Sequence, residues 1–398
     1  MLTRFEVENF YSVHDRQVLS LAVPRNAPAK SGAFRPLFPG SRDRATVVAA
    51  IFGPNASGKT NVLRALSFVI NFLRGSVVWE KGKWAPLLTF QSRAAQRKPI
   101  RFRCEAIAAL VEGQPPCKYS YELVIKDPTD AAYVDYESIS YFPRGRKRRL
   151  IERTRQSFTV SADFALKSDD QRLGFIAEGT SAISTLAKFN HQPSTLIVAA
   201  LNTVQTNVAS FVGQNPETLS FPDATKYYLS NPKVLEALRA RIRLMDLGIE
   251  DVSVEISSKQ PVVRFHHVGL DSPIADYFES DGTKSFFGMF PLLNYVLEAG
   301  GLALIDEFDR DIHPLLLPEL VRWFEDRRSN PKDAQLIFTC HNASLLEHLQ
   351  KEEVFLTEKN AKGHTQLYAL KDVEGVRRDV SLYKKYIGGA LGAVPRLG

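Results

Sequence analysis

Residues Gly53–Thr60 read GPNASGKT, a glycine-bearing loop that ends in a lysine and a hydroxyl residue. Such a loop can close its backbone N–H groups around phosphate oxygens, and a helix starting at its end adds positive potential. Gly53 and Gly58 supply the backbone freedom, so the whole run Gly53, Pro54, Asn55, Ala56, Ser57, Gly58, Lys59, Thr60 and Asn61 is the expected binding loop. Lys59 is then positioned for the β- and γ-phosphates and the Thr60 hydroxyl for magnesium, which makes ATP with Mg2+ the expected cofactor pair. A chance match in a turn is the competing reading. The apolar run ATVVAAIF before the loop, and the helical spacing of Val62, Leu66, Val69, Ile70 and Leu73 after it, argue against that reading.

Three further segments carry matching chemistry. GLALIDEFD (301–309) ends an apolar strand in two carboxylates, a costly place for charge unless a cation is near. Asp306 suits magnesium, directly or through water, and Glu307 suits the general base that polarises attacking water. QLIFTCHN (335–342) ends the next strand in His341, positioned to sense the γ-phosphate and brace Glu307. In ESDGTKSFF (279–287), Ser280 and Gly282 stand just before a helix, where a hydroxyl and backbone donors suit a second phosphate contact. A capped turn, with Ser280 or Asp281 as N-cap, would look the same.

These motifs need an α/β frame. The first 143 residues read as one lobe, with an N-terminal hairpin, the loop and its helix, and antiparallel strands from Ile100 to about Phe142. Residues 144–261 read as a mostly helical insertion, with AISTLAKF, STLIVAALNTV and KVLEALRARIRLM as helices. Residues 262–398 return to alternating helix and strand, the pattern of a parallel sheet with flanking helices.

Composition bounds the class. The chain has 398 residues, a formal net charge of +7 and a pI near 9.2. That basic balance leaves DNA or RNA open as a partner. The densest positive run, RGRKRRLIER (144–153), fits phosphate contact or a solvated hairpin tip. Three cysteines without paired spacing suggest neither a disulfide framework nor a zinc site, so a reducing, cytoplasmic setting is expected. The stretch 286–305 comes nearest to a membrane span but is interrupted by Pro291, Asn294 and Glu298, and no membrane segment is expected. His266 and His267 are adjacent in a strand, point to opposite faces and do not suit one ion.

The order GPNASGKT, insertion, SDGTK, LALIDEFD, TCHN resembles the ATPase heads of the ABC class, which includes RecF, SMC and OLD-type proteins. SDGTK stands where that class carries its LSGGQ signature. The resemblance implies an ABC-type P-loop head, and a homodimer in which ATP is sandwiched between the loop of one subunit and the signature of the other. Ser280 and Gly282 would then act in trans, and a higher oligomer stays open. It also implies a glutamine that contacts magnesium, for which Gln91 is the candidate and Gln96 the alternative, and a D-loop around Asp309 to His313, in which Asp311 and His313 would communicate across the dimer. FEVENFYSV, IFGPNASGKTNVLRAL, IDEFDRDIHP and YKKYIGGALGAVP are similar to bacterial AAA-family ATP-binding proteins of the RloA type, related to ATPase subunits of phage-defence systems such as PARIS. That implies a dimeric switch controlling a separate effector, a nuclease or toxin. The alternative is a RecF-like DNA-binding ATPase.

Overall fold

The protein is described by a computed structural model over residues 1–27, 32–79, 89–110, 115–126, 132–155, 157–209, 220–245 and 248–395. Turns are expected between the antiparallel strands at Gly113–Pro116 and Asp127–Asp130; of these, 113–114 and 127–130 lie outside the described residues. The architecture is mixed α/β, as the alternation of the motif-bearing segments predicts.

The motif strands form one six-stranded sheet in the order 204–206, 302–305, 335–339, 48–52, 354–359, 365–369. The first five strands are mutually parallel and the last pairs antiparallel as an edge. Strand Val48–Phe52 is buried at every position, which explains why it reads as a continuous apolar run. Its residues nevertheless alternate between two cores. Val48, Ala50 and Phe52 join one, while Ala49 and Ile51 join the other.

The second of these cores is filled by helix Lys59–Gly75, whose Val62, Leu63, Leu66, Val69 and Leu73 lie between the parallel sheet and a seven-stranded antiparallel sheet. That second sheet contains Leu2–Glu8, Gln17–Ser20 and the strands from Ile100 to Val160. Over Lys59–Val78 this is also the helix, among the described residues, that is long and apolar enough to cross a membrane, but it is the core helix of a sandwich. The opposite face of the parallel sheet is covered by helices Asp281–Ala299 and Leu317–Glu325 through Phe286, Phe290, Leu293, Leu320 and Phe324.

Residues 144–261 carry helices Ala182–Lys188, Gln192–Leu201, Phe221–Ser230 and Pro232–Ile242, in line with their helical spacing. The same stretch opens with strands Arg148–Thr154 and Phe158–Val160, which extend the antiparallel sheet, and it reaches a hairpin formed by Ile249–Ser257 and Gln260–His267. Exposed arginines on Arg148–Thr154 hide its strand period, so the segment reads as a charged loop until its partners are known.

One buried charge cluster joins the antiparallel sheet to the helical segment. The Glu137 carboxylate accepts from the Ser181 hydroxyl at 2.6 Å and the Ala182 N–H at 2.8 Å, at the start of helix Ala182–Lys188, and from the Tyr121 hydroxyl at 3.1 Å. Arg153 lies 3.7 Å away, with both side chains almost fully buried. Ser181 donates its backbone N–H to the Ser76 hydroxyl, so the cluster also holds the far end of the helix that follows the glycine loop. Removing one partner of a buried ion pair strands the other charge. Glu137→Ala should therefore lose about 3 kcal/mol or more of stability, read as a lowered urea midpoint, whereas an exposed change such as Lys188→Ala should leave the midpoint in place.

Candidate nucleotide site

Strand Val48–Phe52 runs into the glycine loop, and helix Lys59–Gly75 begins directly after Gly58. Gly58 has φ 108°, and a Cβ there would fall 2.2 Å from the Thr365 hydroxyl oxygen, so both conformation and space require glycine. Ser57 is sealed beneath the loop, its hydroxyl 2.7 Å from that of Thr357. Pro54, Asn55 and Ala56 form the more open crest. Asn61, one turn into the helix, donates to the Ser12 hydroxyl at 2.7 Å.

Lys59 lies folded into its own loop, with its Nζ donating to the carbonyls of Gly53 at 2.8 Å and Pro54 at 3.1 Å. Burial pulls the ammonium below the ordinary lysine value, while Asp306 and Asp309 oppose the shift. A cation held by two carbonyls in a partly desolvated loop is matched to an anionic ligand, which would offer it charge as well as hydrogen bonds.

The loop and the acidic strand end meet at Asp306. Its Oδ1 accepts from the Thr60 hydroxyl at 3.1 Å and from the Thr339 hydroxyl at 2.6 Å. The Thr339 oxygen in turn accepts the Glu307 backbone N–H at 2.8 Å. Asn207 clamps the Asp306 peptide from the other side, accepting its N–H at 2.7 Å and donating to its carbonyl at 2.9 Å. This is an all-oxygen donor set on rigid elements, the kind that suits Mg2+. Thr60 and Asp306 are the residues that would hold that ion, and its chemistry is to neutralise phosphate charge.

Glu307 turns out of the strand in a left-handed conformation, φ 52°, with its side chain about half exposed and 3.9 Å from Arg310. The His341 backbone N–H is fixed by Asp309 Oδ2 at 3.0 Å, alongside that of Asn342 at 2.8 Å. Among the described residues the His341 ring forms no hydrogen bond to Glu307. Gln91 donates to the Thr89 carbonyl at 2.8 Å and accepts from Gln96 at 3.1 Å, so these two amides bond each other rather than Thr60 or Asp306.

Ser280 is the N-cap of helix Asp281–Ala299, accepting from the Thr283 N–H at 3.1 Å. A Cβ on Gly282 would come within 2.5 Å of the Asp311 carbonyl, so glycine lets the first turn of the helix pack on the 309–313 loop of the same chain. His313 caps the short turn at Pro314 by accepting from Leu315 N–H at 3.3 Å. An open cavity of about 630 Å³ is lined by Asp281 and Lys284 on one side and Asp306, Glu307, Arg310 and Asp311 on the other.

Thr339 and Asn207 are functional-site residues that the sequence does not single out, while Asp309 enters there only as the start of the expected D-loop, not as the acceptor for the His341 and Asn342 N–H groups. The first two lie 33 and 99 residues from Asp306 along the chain and carry no motif of their own. If Thr339 orders the Asp306–Glu307 pair, Thr339→Val should cut nucleotide turnover by about tenfold, the cost of an orphaned N–H and a lost donor, and Thr339→Ser should restore it in a phosphate-release assay.

Residues 48–347 match the family model described as "AAA domain, putative AbiEii toxin, Type IV TA system". The SMC head domain from Thermotoga maritima is similar at 14% sequence identity and a TM-score of 0.43, over 92% of this chain and 98% of that one. No curated protein matches the sequence. With about three quarters of its length matched, from the strand before the glycine loop to beyond the His341 strand, the chain belongs to this AAA-domain family of P-loop ATPases.

Proposed function

We propose that the protein binds and hydrolyses ATP with Mg2+ as an ABC-type nucleotide-driven switch. The convergence of the Thr60 and Thr339 hydroxyls on one Asp306 oxygen carries the reading, because it joins the phosphate loop and the acidic strand end into one site. In this reading Lys59 leaves its loop carbonyls for the β- and γ-phosphates, and Thr60 and Asp306 hold the ion. Glu307, the exposed carboxylate beside them, orients the attacking water and accepts its proton. His341 reads the γ-phosphate, and Gln91 moves in from its present pairing with Gln96.

Ser280 and Gly282 are assigned to the nucleotide of a second subunit, which makes the closed state a homodimer with ATP between its heads. The lobes 1–143 and 262–398 together form the head, with 144–261 inserted between them. The family description includes a toxin of a toxin–antitoxin system. Together with the resemblance to RloA-type and PARIS-related ATPases, it favours a cytoplasmic sensor or regulator in phage defence that controls a separate nuclease or toxin. ATP closure shifts a population between two head arrangements, and an effector that binds one of them better is released or activated.

Lys59→Ala should abolish binding of a fluorescent ATP analogue, while Glu307→Gln should bind it, lose turnover by about 100-fold or more and accumulate an ATP-dependent dimer in size-exclusion chromatography. Wild-type turnover by Glu307→Gln would remove Glu307 as the base.

A RecF-like reading is favoured by the hairpin tip between Tyr133–Tyr141 and Arg148–Thr154. There Arg144, Arg146 and Lys147 are exposed and form no ion pair among the described residues, whereas Arg148 and Arg149 pair with Asp163 and Glu152. Tyr141 is excluded from base stacking there, since it is buried with its hydroxyl on Asp163 at 2.6 Å. If the tip contacts nucleic acid, duplex affinity should fall with salt, and Arg144→Glu with Lys147→Glu should flatten the slope by about two charges. Unchanged binding would make the tip a solvated turn.

A further inference from the structure

Two imidazoles and a carboxylate converge beside the glycine loop although 349 residues separate two of them. His14 Nδ1 lies 2.7 Å from Asp15 Oδ1, and His364 Nδ1 lies 3.2 Å from Asp15 Oδ2. The two rings stack with centroids 4.1 Å apart, and Phe90 sets its ring edge-on against both, at 5.2 and 4.7 Å. One ligand atom from each of the three residues lies within 4.8 Å of the others. We propose that His14, Asp15 and His364 form a binding site for a divalent transition-metal ion of the zinc type.

The donor chemistry selects the ion. Two neutral imidazoles and one carboxylate suit zinc and its first-row neighbours, whereas magnesium and calcium favour oxygen-only sets such as the one around Asp306. Ligands about 2.0–2.1 Å from a tetrahedral ion stand roughly 3.3 Å apart; each imidazole is already 2.7 or 3.2 Å from an Asp15 oxygen, and with all three ligand atoms within 4.8 Å of one another, binding would draw the set together by side-chain rotation. The imidazoles are sheltered, with side chains 20% and 13% exposed, while Asp15 is 66% exposed and leaves the ion a route in and a fourth position for water.

The surrounding bonds hold the ligands in place without an ion. Gln17 donates to the Asp15 carbonyl at 3.1 Å and accepts the Leu367 N–H at 2.7 Å, so one side chain spans both ligand-bearing segments. The Thr365 N–H donates to the Ser12 carbonyl at 2.9 Å, and the His364 N–H donates to Asn360 at 3.0 Å. Such supporting contacts fix ligand orientation and strengthen metal affinity.

The location gives the site a consequence. Next to His364, Thr365 donates its hydroxyl to the Ser57 carbonyl at 2.8 Å, and Ser12, two residues before His14, accepts from Asn61. A bound ion would therefore tie together the two turns that flank the glycine loop, independently of whether that loop hydrolyses ATP.

The test is zinc titration of tag-free, chelator-stripped protein against a chromophoric competitor, with Co2+ absorption as a second readout. Wild type should bind one equivalent at this site with the visible bands of a nitrogen- and oxygen-ligated cobalt ion. His364→Ala and Asp15→Ala should each weaken that binding by about 100-fold. Asp15 is exposed enough that its variant keeps the fold, checked by circular dichroism. Asp306→Asn should retain the zinc equivalent, which separates this site from the candidate magnesium position. Equal affinity in wild type, His364→Ala and Asp15→Ala, or no zinc bound by wild type, would overturn the proposal and leave a hydrogen-bonded His–Asp–His cluster.

Discussion

A single half-buried carboxylate organises the site. Asp306 stands at the end of a strand whose four residues are all buried, where an unpaired charge would be strongly disfavoured. It is stabilised by two hydroxyls that arrive from different strands, Thr60 after the strand on one side of the sheet and Thr339 at the end of the strand between. This works only because the three strands are parallel and in register, with Ile305 opposite Phe338 and Thr339 opposite Ile51. Their C-terminal ends then fall at one level, which is where parallel α/β sheets gather ligand chemistry.

The layers around that sheet set how firmly the level is held. The helix that begins at Lys59 is buried on nearly every side between two sheets, so the glycine loop is anchored at one end by a strand and at the other by a core helix. The buried Glu137 cluster grips the far end of that helix, and the Thr357 and Thr365 hydroxyls press on the loop from the neighbouring strands. The polar groups not held by this floor are Lys59, buried against its own loop carbonyls, Glu307, turned to solvent, and the Gln91–Gln96 pair. A rigid floor beneath a few polar side chains is the arrangement the proposed nucleotide switch would use.

Beside that site, Gly282 lets the start of helix Asp281–Ala299 pack against the Asp311 carbonyl. The open cavity that Lys284 and Arg310 line with Asp281, Asp306, Glu307 and Asp311 carries charge of both signs.

The amino-acid sequence alone determined the local chemistry and most of the frame. GPNASGKT and LALIDEFD were legible because glycine, lysine and strand-end carboxylates have a chemical meaning at fixed short spacing, TCHN only as the end of the following strand, and helices such as Asp281–Ala299 were legible because burial imposes a period. Strand Arg148–Thr154 was not, since its strand identity depends on Tyr133–Tyr141 beside it. Only tertiary structure decided that Thr339 and Asn207 belong to Asp306, that Gln91 bonds Gln96, and that His14 meets His364. Those relations join residues up to 350 apart, and a side chain's partners across such a distance are set by strand order and register, which no local pattern encodes.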